Sequence, residues 1–186
     1  MNKPILGSLG RNIQRLRMAK GLSLSQLALD AGLAKSNLSR IEQGEGNPTL
    51  ETIWRLAVQL DAPFGDLVVS VESPLGENGV QVRLIDQGEG NPRVDVYWMS
   101  CAPNTIKLSE PHIAGTTEAV TLISGQLLAG ESNDLHDLEI GKVHTFAADV
   151  PHCYQTADSW ATLMMVITYS KQGYAKQSDS RQDVTL

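Results

Sequence analysis

The sequence predicts two domains of different class: a five-helix α domain over residues 1–69 and an all-β barrel over residues 80–170. Residues 70–79 read as a linker and residues 171–186 as a polar tail. Three observations carry this division. Apolar residues recur every three or four positions from Leu6 to Leu67, the period of helices with one buried face. Past Gly79 the period falls to two, in VQVRLID, RVDVYWMS, TTEAVTLISG and KVHTFAAD, with Gly, Pro and Asn at short intervals. The charge divides as well. Residues 1–69 hold 8 Lys/Arg against 6 Asp/Glu, a balance of +2, and residues 70–186 hold 7 against 15, a balance of −8, which together give the −6 of the whole chain.

The helices follow in order. Leu6, Leu9, Ile13 and Leu16 line one side of the first, about 6–19, which Gly21 ends. Ser23 with Gln26 forms a capping-box pattern for the second, whose inner face is Leu24, Leu27 and Ala28. Gly32 supplies a turn that few other residues tolerate. The third runs from about Lys35 to Gln43 with Leu38 and Ile41 inward, leaving Lys35, Ser36, Asn37 and Arg40 on other sides. Thr49 caps a fourth, Leu50 to Leu60, with Leu50, Ile53, Trp54, Ala57 and Leu60 buried, and Pro63 opens a last turn ending near Leu67. The hexapeptide QGEGNP occurs at Gln43–Pro48 and again at Gln87–Pro92. Its flanks differ in period, so it reads as shared turn chemistry, joining two helices in the first copy and two strands in the second.

The stretch SLSQLALDAGLAKSNLSRIEQG has its apolar, Ala and Gly positions in the spacing of the phage repressor and Cro type of helix-turn-helix domain, which it resembles over residues 6–68. The resemblance implies DNA binding, with the second helix of the pair in the major groove. Lys35, Ser36, Asn37 and Arg40 are the expected base and groove contacts, and Gln26 (with Arg11) the expected phosphate contacts. The resemblance also implies a buried ion pair, here Arg17 with Glu42, so Arg17 is assigned to the scaffold. Ala34 departs from the family, which often caps the recognition helix with Ser or Thr. The first 20 residues carry Lys3, Arg11, Arg15, Arg17 and Lys20 with no acid, so the local field favours phosphate despite the acidic total.

In the second domain, His112-Ile-Ala-Gly-Thr-Thr-Glu118 followed by Gly125, then Gly141 and His152, resembles the two motifs of the cupin superfamily in order and spacing. That resemblance implies a double-stranded β-helix barrel. It also implies metal ligands at His112, Glu118 and His152, a set that suits Zn²⁺ or Fe²⁺ and leaves positions open for an effector. Ala114 stands where the motif has its second His, and Ala147 and Asp149 replace a Pro and a Gly. A metal-free pocket of hydrogen-bonded histidines is therefore the alternative. His136 and His144 could each add a ligand, but they read better as solvated or hydrogen-bonded side chains. Tyr154 shares a strand face with His152, and with Trp98 and Met165 it is a candidate effector contact.

The whole chain is similar to bacterial regulators that join this helix-turn-helix to one cupin, and most of all to those linked to sulfur utilisation. The resemblance implies a transcriptional regulator that binds a double-stranded DNA operator as a homodimer. It further implies an amino acid or sulfur-containing metabolite as effector. The alternative is a metal-dependent cupin enzyme, an oxygenase or isomerase, fused to a DNA-binding domain. Neither GxSxG nor GxxxxGK[ST] occurs, which leaves the chain without a nucleophile elbow or phosphate loop. No apolar run approaches the roughly 20 residues that span a bilayer, so no membrane partner is expected. Cys101 and Cys153 form no framework and read as free thiols of a cytoplasmic protein.

Overall fold

A computed structural model describes residues 3–68 and 75–170. Five helices come first: α1 (Lys3–Ala19), α2 (Leu24–Asp30), α3 (Lys35–Glu42), α4 (Leu50–Leu60) and α5 (Phe64–Val68). Ser23 caps α2 by accepting from the Gln26 N–H at 3.1 Å, but the expected box is only half closed. The Gln26 amide turns to Asp30 instead, donating to Oδ1 at 2.7 Å. Ala34 makes no side-chain cap bond, as its methyl group dictates, whereas Thr49 accepts from the Thr52 N–H at 3.1 Å. Gly32 has φ +65°, the left-handed conformation the turn requires.

Leu9, Ile13, Leu27, Leu38, Ile41, Ile53 and Leu56 close the helical core. Helix α1 packs against α3 and α5. Gly10 allows that approach, since a Cβ there would stand 2.4 Å from the Ile41 carbonyl oxygen. Arg17 and Glu42 pair across α1 and α3, with Nε–Oε1 at 2.7 Å and Nη2–Oε2 at 2.9 Å, while Nη1 donates to the Leu22 carbonyl.

Ten antiparallel strands follow. One sheet has the order β1-β2-β3-β10-β5-β8, namely Leu75–Glu77, Val80–Gln87, Arg93–Cys101, Ala161–Tyr169, Thr117–Ser124 and Val143–Ala147. The other has the order β4-β9-β6-β7, namely Ile106–Ser109, His152–Thr156, Leu127–Glu131 and Asp134–Asp137. Their inner faces meet through Tyr97, Met99, Val120, Leu122, Leu163 and Met165 on one side and Leu127, Ala129 and Tyr154 on the other. This is the cupin-like barrel, and with the helices it gives the expected fold class. The expected linker is not all connector, because Leu75–Glu77 pair with Val80–Val82 as the sheet's edge strand. Residues 69–74 and the polar tail lie outside the described residues. His136, expected in a loop, sits on β7.

The domains meet through α5. The Gly65 N–H donates to Asp95 Oδ2 at 3.3 Å and the Phe64 N–H to the Tyr169 hydroxyl at 3.3 Å. Arg93 forks onto both carboxylate oxygens of Asp66, which also accepts from Gln87. Asp95 is fully buried, and burial raises its carboxyl pKa against the opposing pull of Arg93, Tyr97 and Tyr169.

Removing one partner of a buried ion pair leaves the other charge uncompensated. Glu42→Ala should therefore cost about 3–5 kcal/mol in urea unfolding of the helical domain. A loss below about 1 kcal/mol, the worth of a surface pair, would place Arg17–Glu42 outside the scaffold.

Candidate metal centre and its contact with the helix-turn-helix

His112 lies in the loop before β5, not on a strand, and its N–H donates to the Ala148 carbonyl at 2.8 Å. Glu118 is the second residue of β5 and points inward, being paired to Phe146 on one neighbour and Ile167 on the other. His152 opens β9, with Tyr154 two residues on and on the same inner face. All four are buried.

The geometry converges on the Glu118 carboxylate. His112 Nε2 is 2.9 Å from Oε1 and His152 Nε2 is 3.6 Å from the same oxygen. The Tyr154 hydroxyl donates to Oε2 through a short hydrogen bond and also lies 3.1 Å from Met165 Sδ. One ligand atom from each of His112, Glu118 and His152 falls within 4.8 Å of the others, the single such group among the described residues.

The chemistry of these donors fits a cation. His152 Nδ1 is 2.9 Å from the Val150 carbonyl, which can only accept, so Nδ1 carries the proton. Nε2 is then either a bare lone pair or a second N–H, and it faces a carboxylate oxygen without a hydrogen bond. Two acceptors aimed at one another in a buried site repel, and a proton or a metal ion between them relieves that repulsion. Burial lowers the His152 pKa, but the Glu118 carboxylate outweighs it and raises the ring above its ordinary value. Burial wins at His112, which is lowered despite its bond to Glu118. Burial pushes the Glu118 carboxyl up, yet the two imidazoles overcome it and hold the group well below the usual carboxylate range. The triad could thus exchange the His152 proton for a divalent cation.

Ala114, at the missing ligand position, is exposed on the turn, and its carbonyl accepts from Ser170 Oγ at 3.1 Å. His136 and His144 do not join the triad. Their rings lie 4.4 Å apart, and Phe146 sits 5.8 Å from both His144 and His152. Met165 and Tyr154 reach the site, but Trp98 does not. On β3, Tyr97 and Met99 take the inward positions, so Trp98 is turned to the outer face. The candidate effector contact at Trp98 therefore does not face this site, by strand parity.

Lys35, Ser36 and Asn37 stand exposed on the first turn of α3, with Arg40 exposed one turn on and its Nη2 3.5 Å from the Glu45 carbonyl. Gln26 is exposed on α2 beside Asp30.

One residue, read in the sequence only as helix core, joins the triad to the helical domain. Trp54 of α4 stacks on the His112 ring, with centroids 4.0 Å apart and planes at 16°. Its other stacking partner is Phe64, 4.1 Å away. Beside this stack a cleft of about 270 Å³ opens between the two domains, lined by Gly32, Glu51, Trp54, Arg55 and Glu110 among others. Nothing local to Trp54 announces this, since its apolar spacing matches any core residue of the helix. The Asp95 clamp did leave a signal: Arg93 and Asp95 put charge on the buried parity of β3.

The two-His, one-carboxylate group predicts Zn²⁺ uptake that weakens as pH falls, because the proton on His152 competes with the metal. Tyr154→Phe removes the donor that orients Glu118 and should weaken Zn²⁺ binding by about 10–100-fold in calorimetric titration. Unchanged affinity in that variant would remove Tyr154 from the site.

Comparison with known proteins agrees with this architecture. The helix-turn-helix family HTH_3 matches residues 13–67. The chain is 32% identical over 153 residues to the HTH-type transcriptional regulator SutR of Escherichia coli (strain K12), covering 79% of this chain and 86% of that one. It is 43% identical over 61 residues to the HTH-type transcriptional regulator SinR of Bacillus subtilis (strain 168), covering 32% of this chain and 55% of that one. The crystal structure of an HTH_3 family transcriptional regulator from Vibrio cholerae superposes with a TM-score of 0.81 at 22% identity, covering 92% of this chain and all of that one, and so shares the fold. The chain belongs to the HTH_3 transcriptional regulators that carry a C-terminal cupin-like domain.

Proposed function

We propose that this regulator reads its operator with α3 and that its DNA affinity is set by what occupies the His112–Glu118–His152 group. The observation that carries this reading is the stack of Trp54 on His112. A ring on a DNA-binding helix bundle lies in van der Waals contact with a candidate ligand in the sensor barrel, so movement of one imidazole bears directly on α4.

In this reading Lys35, Ser36, Asn37 and Arg40 meet base edges and phosphates in the major groove, with Gln26 at the backbone. Helix α3 has 8 residues, so one copy covers few base pairs. A homodimer on a two-fold site, with half-sites about 34 Å apart, supplies the rest. His112, Glu118 and His152 would hold a divalent metal, Zn²⁺ or Fe²⁺. Bound there, the metal supplies a Lewis acid with open positions for an effector's amino and carboxylate groups. An amino acid or sulfur-containing metabolite suits that chemistry, and Met165 offers a polarisable contact beside Tyr154.

Two substitutions separate reading from sensing. Arg40→Ala should weaken operator binding by about 1–3 kcal/mol and relax one base position. His152→Ala should keep the affinity of the metal-free protein and lose its response to Zn²⁺ and to methionine or cysteine, measured by fluorescence anisotropy on operator DNA. An intact response in His152→Ala would contradict the reading, and turnover of an amino acid by the metal-loaded protein would replace it with the enzyme alternative.

A further inference from the structure

The cleft between the domains is walled from three directions. Ala31 and Gly32 come from the turn between α2 and α3, Trp54 and Arg55 from α4, and Glu110 from the loop that leads to His112. Its volume of about 270 Å³ is that of a small-metabolite site, just under the roughly 300–1,000 Å³ of drug-sized pockets, and such sites gather at domain interfaces. The triad on the far side of the His112 ring is buried, whereas Asp30 and Glu110 on the cleft walls are exposed. A small molecule can therefore meet the cleft with both domains as they stand.

Arg55 is the unusual group in this cleft. A guanidinium carries five N–H donors and a positive charge. Here Nη1 reaches the Ala31 carbonyl only at 3.4 Å, and Nε is buried with no hydrogen-bond partner among the described residues. A buried donor without an acceptor is costly, and a carboxylate is the group that answers the guanidinium fork best. The charge around it has the opposite sign, since Asp30, Glu51 and Glu110 line the same cleft. Lys107 comes within 3.9 Å of Glu51 and Gln26 donates to Asp30, so Glu110, on the barrel side, is the carboxylate placed for a ligand. A simple anion would meet Arg55 but be repelled by the acids. A simple amine would meet the acids but be repelled by Arg55. A molecule with both charges satisfies both walls, and Trp54 adds an apolar surface for the rest of it.

We propose that the cleft is a binding site for a zwitterionic α-amino acid with an apolar side chain, its carboxylate on Arg55 and its ammonium at Glu110. The site is separate from His112, Glu118 and His152 and needs no metal, so it goes beyond the function proposed above. Its walls belong to both domains. A ligand held by all of them binds only the arrangement in which they stand together, and it stabilises that arrangement by its differential affinity. Because one wall is the Ala31–Gly32 turn, the element held in place is the one from which α3 starts.

Calorimetric titration of L-methionine into the full chain, stripped of metal by a chelator, tests this. One molecule should bind per chain. Acetate and butylamine, which carry one charge each, should bind at least ~10-fold more weakly. Arg55→Met should weaken methionine binding by ~10–100-fold, the range of a hydrogen bond to a charged group. Glu110→Lys, at an exposed loop position, should weaken it as much, and it decides if Arg55→Met fails to fold by circular dichroism. Acetate or butylamine binding as tightly as methionine would overturn the zwitterion. Binding that appears only when Zn²⁺ is restored puts the amino acid on the triad, which overturns the cleft site and leaves the proposed function standing. Binding to the metal-free chain that survives both substitutions lies elsewhere and overturns the cleft site too. No binding with or without Zn²⁺ overturns it and also removes the amino-acid effector from the proposed function.

Discussion

Trp54 is the residue on which the relation between the two domains turns. Its ring is held on one side by Phe64 and on the other by His112, in a stack that begins in the helical core and ends in the barrel. Stacked aromatic pairs contribute about 0.5–1.5 kcal/mol beyond the area they bury. The geometry matters more than that sum, because both neighbours are themselves fixed. Phe64 stands at the start of α5, whose backbone N–H groups are taken up by Asp95 and Tyr169. His112 is fixed by Glu118 through Nε2 and by Ala148 through its backbone. A close-packed interior transmits such displacements because it has few voids to absorb them. Under the proposed function, exchange of a proton for a metal at the triad changes what His112 can offer to Glu118, and Trp54 is the first residue of the DNA-binding domain to meet the change.

The two anchoring systems between the domains have different chemistry. Around α5 the contact is polar and charged, with Arg93 spanning Asp66 and Asp95. Around α4 it is aromatic, with a weaker ion pair where Lys107 Nζ comes within 3.9 Å of Glu51. The charged clamp fixes position strongly because a buried Asp95 without its partners would be costly. Under the proposed function, the aromatic contact is where the state of His112 reaches α4.

Much of this architecture was legible in the sequence because its causes are local. The helical periods, the Gly32 turn and the Thr49 cap depend on neighbours within a few residues. The Arg17–Glu42 pair and the His112, Glu118, His152 group were legible through family spacing, and the coordinates bring each set together. What was not legible depends on tertiary partners. Gln26 is the local exception: it closes onto Asp30, four residues on in the same helix, and not onto the capping box. Trp98 faces outward because strand parity is set by Tyr97 and Met99, both large enough to claim the core, and a run of three bulky residues leaves parity open. Trp54 reads as ordinary core, since its partner His112 lies in a separate domain. The Ala114 position looked like a damaged site, yet it lies on an exposed turn while Tyr154 supplies the further polar contact to Glu118.

Under the proposed function, occupancy of the triad is felt at Trp54. Trp98→Phe with Trp160→Phe leaves Trp54 as the sole tryptophan of the chain, so its emission reports on this contact alone. Zn²⁺ titrated into that protein should change the emission and saturate at stoichiometric metal. The change should vanish when His152→Ala is added. Stoichiometric zinc at the triad, verified by metal analysis, with Trp54 emission unaltered would contradict the account.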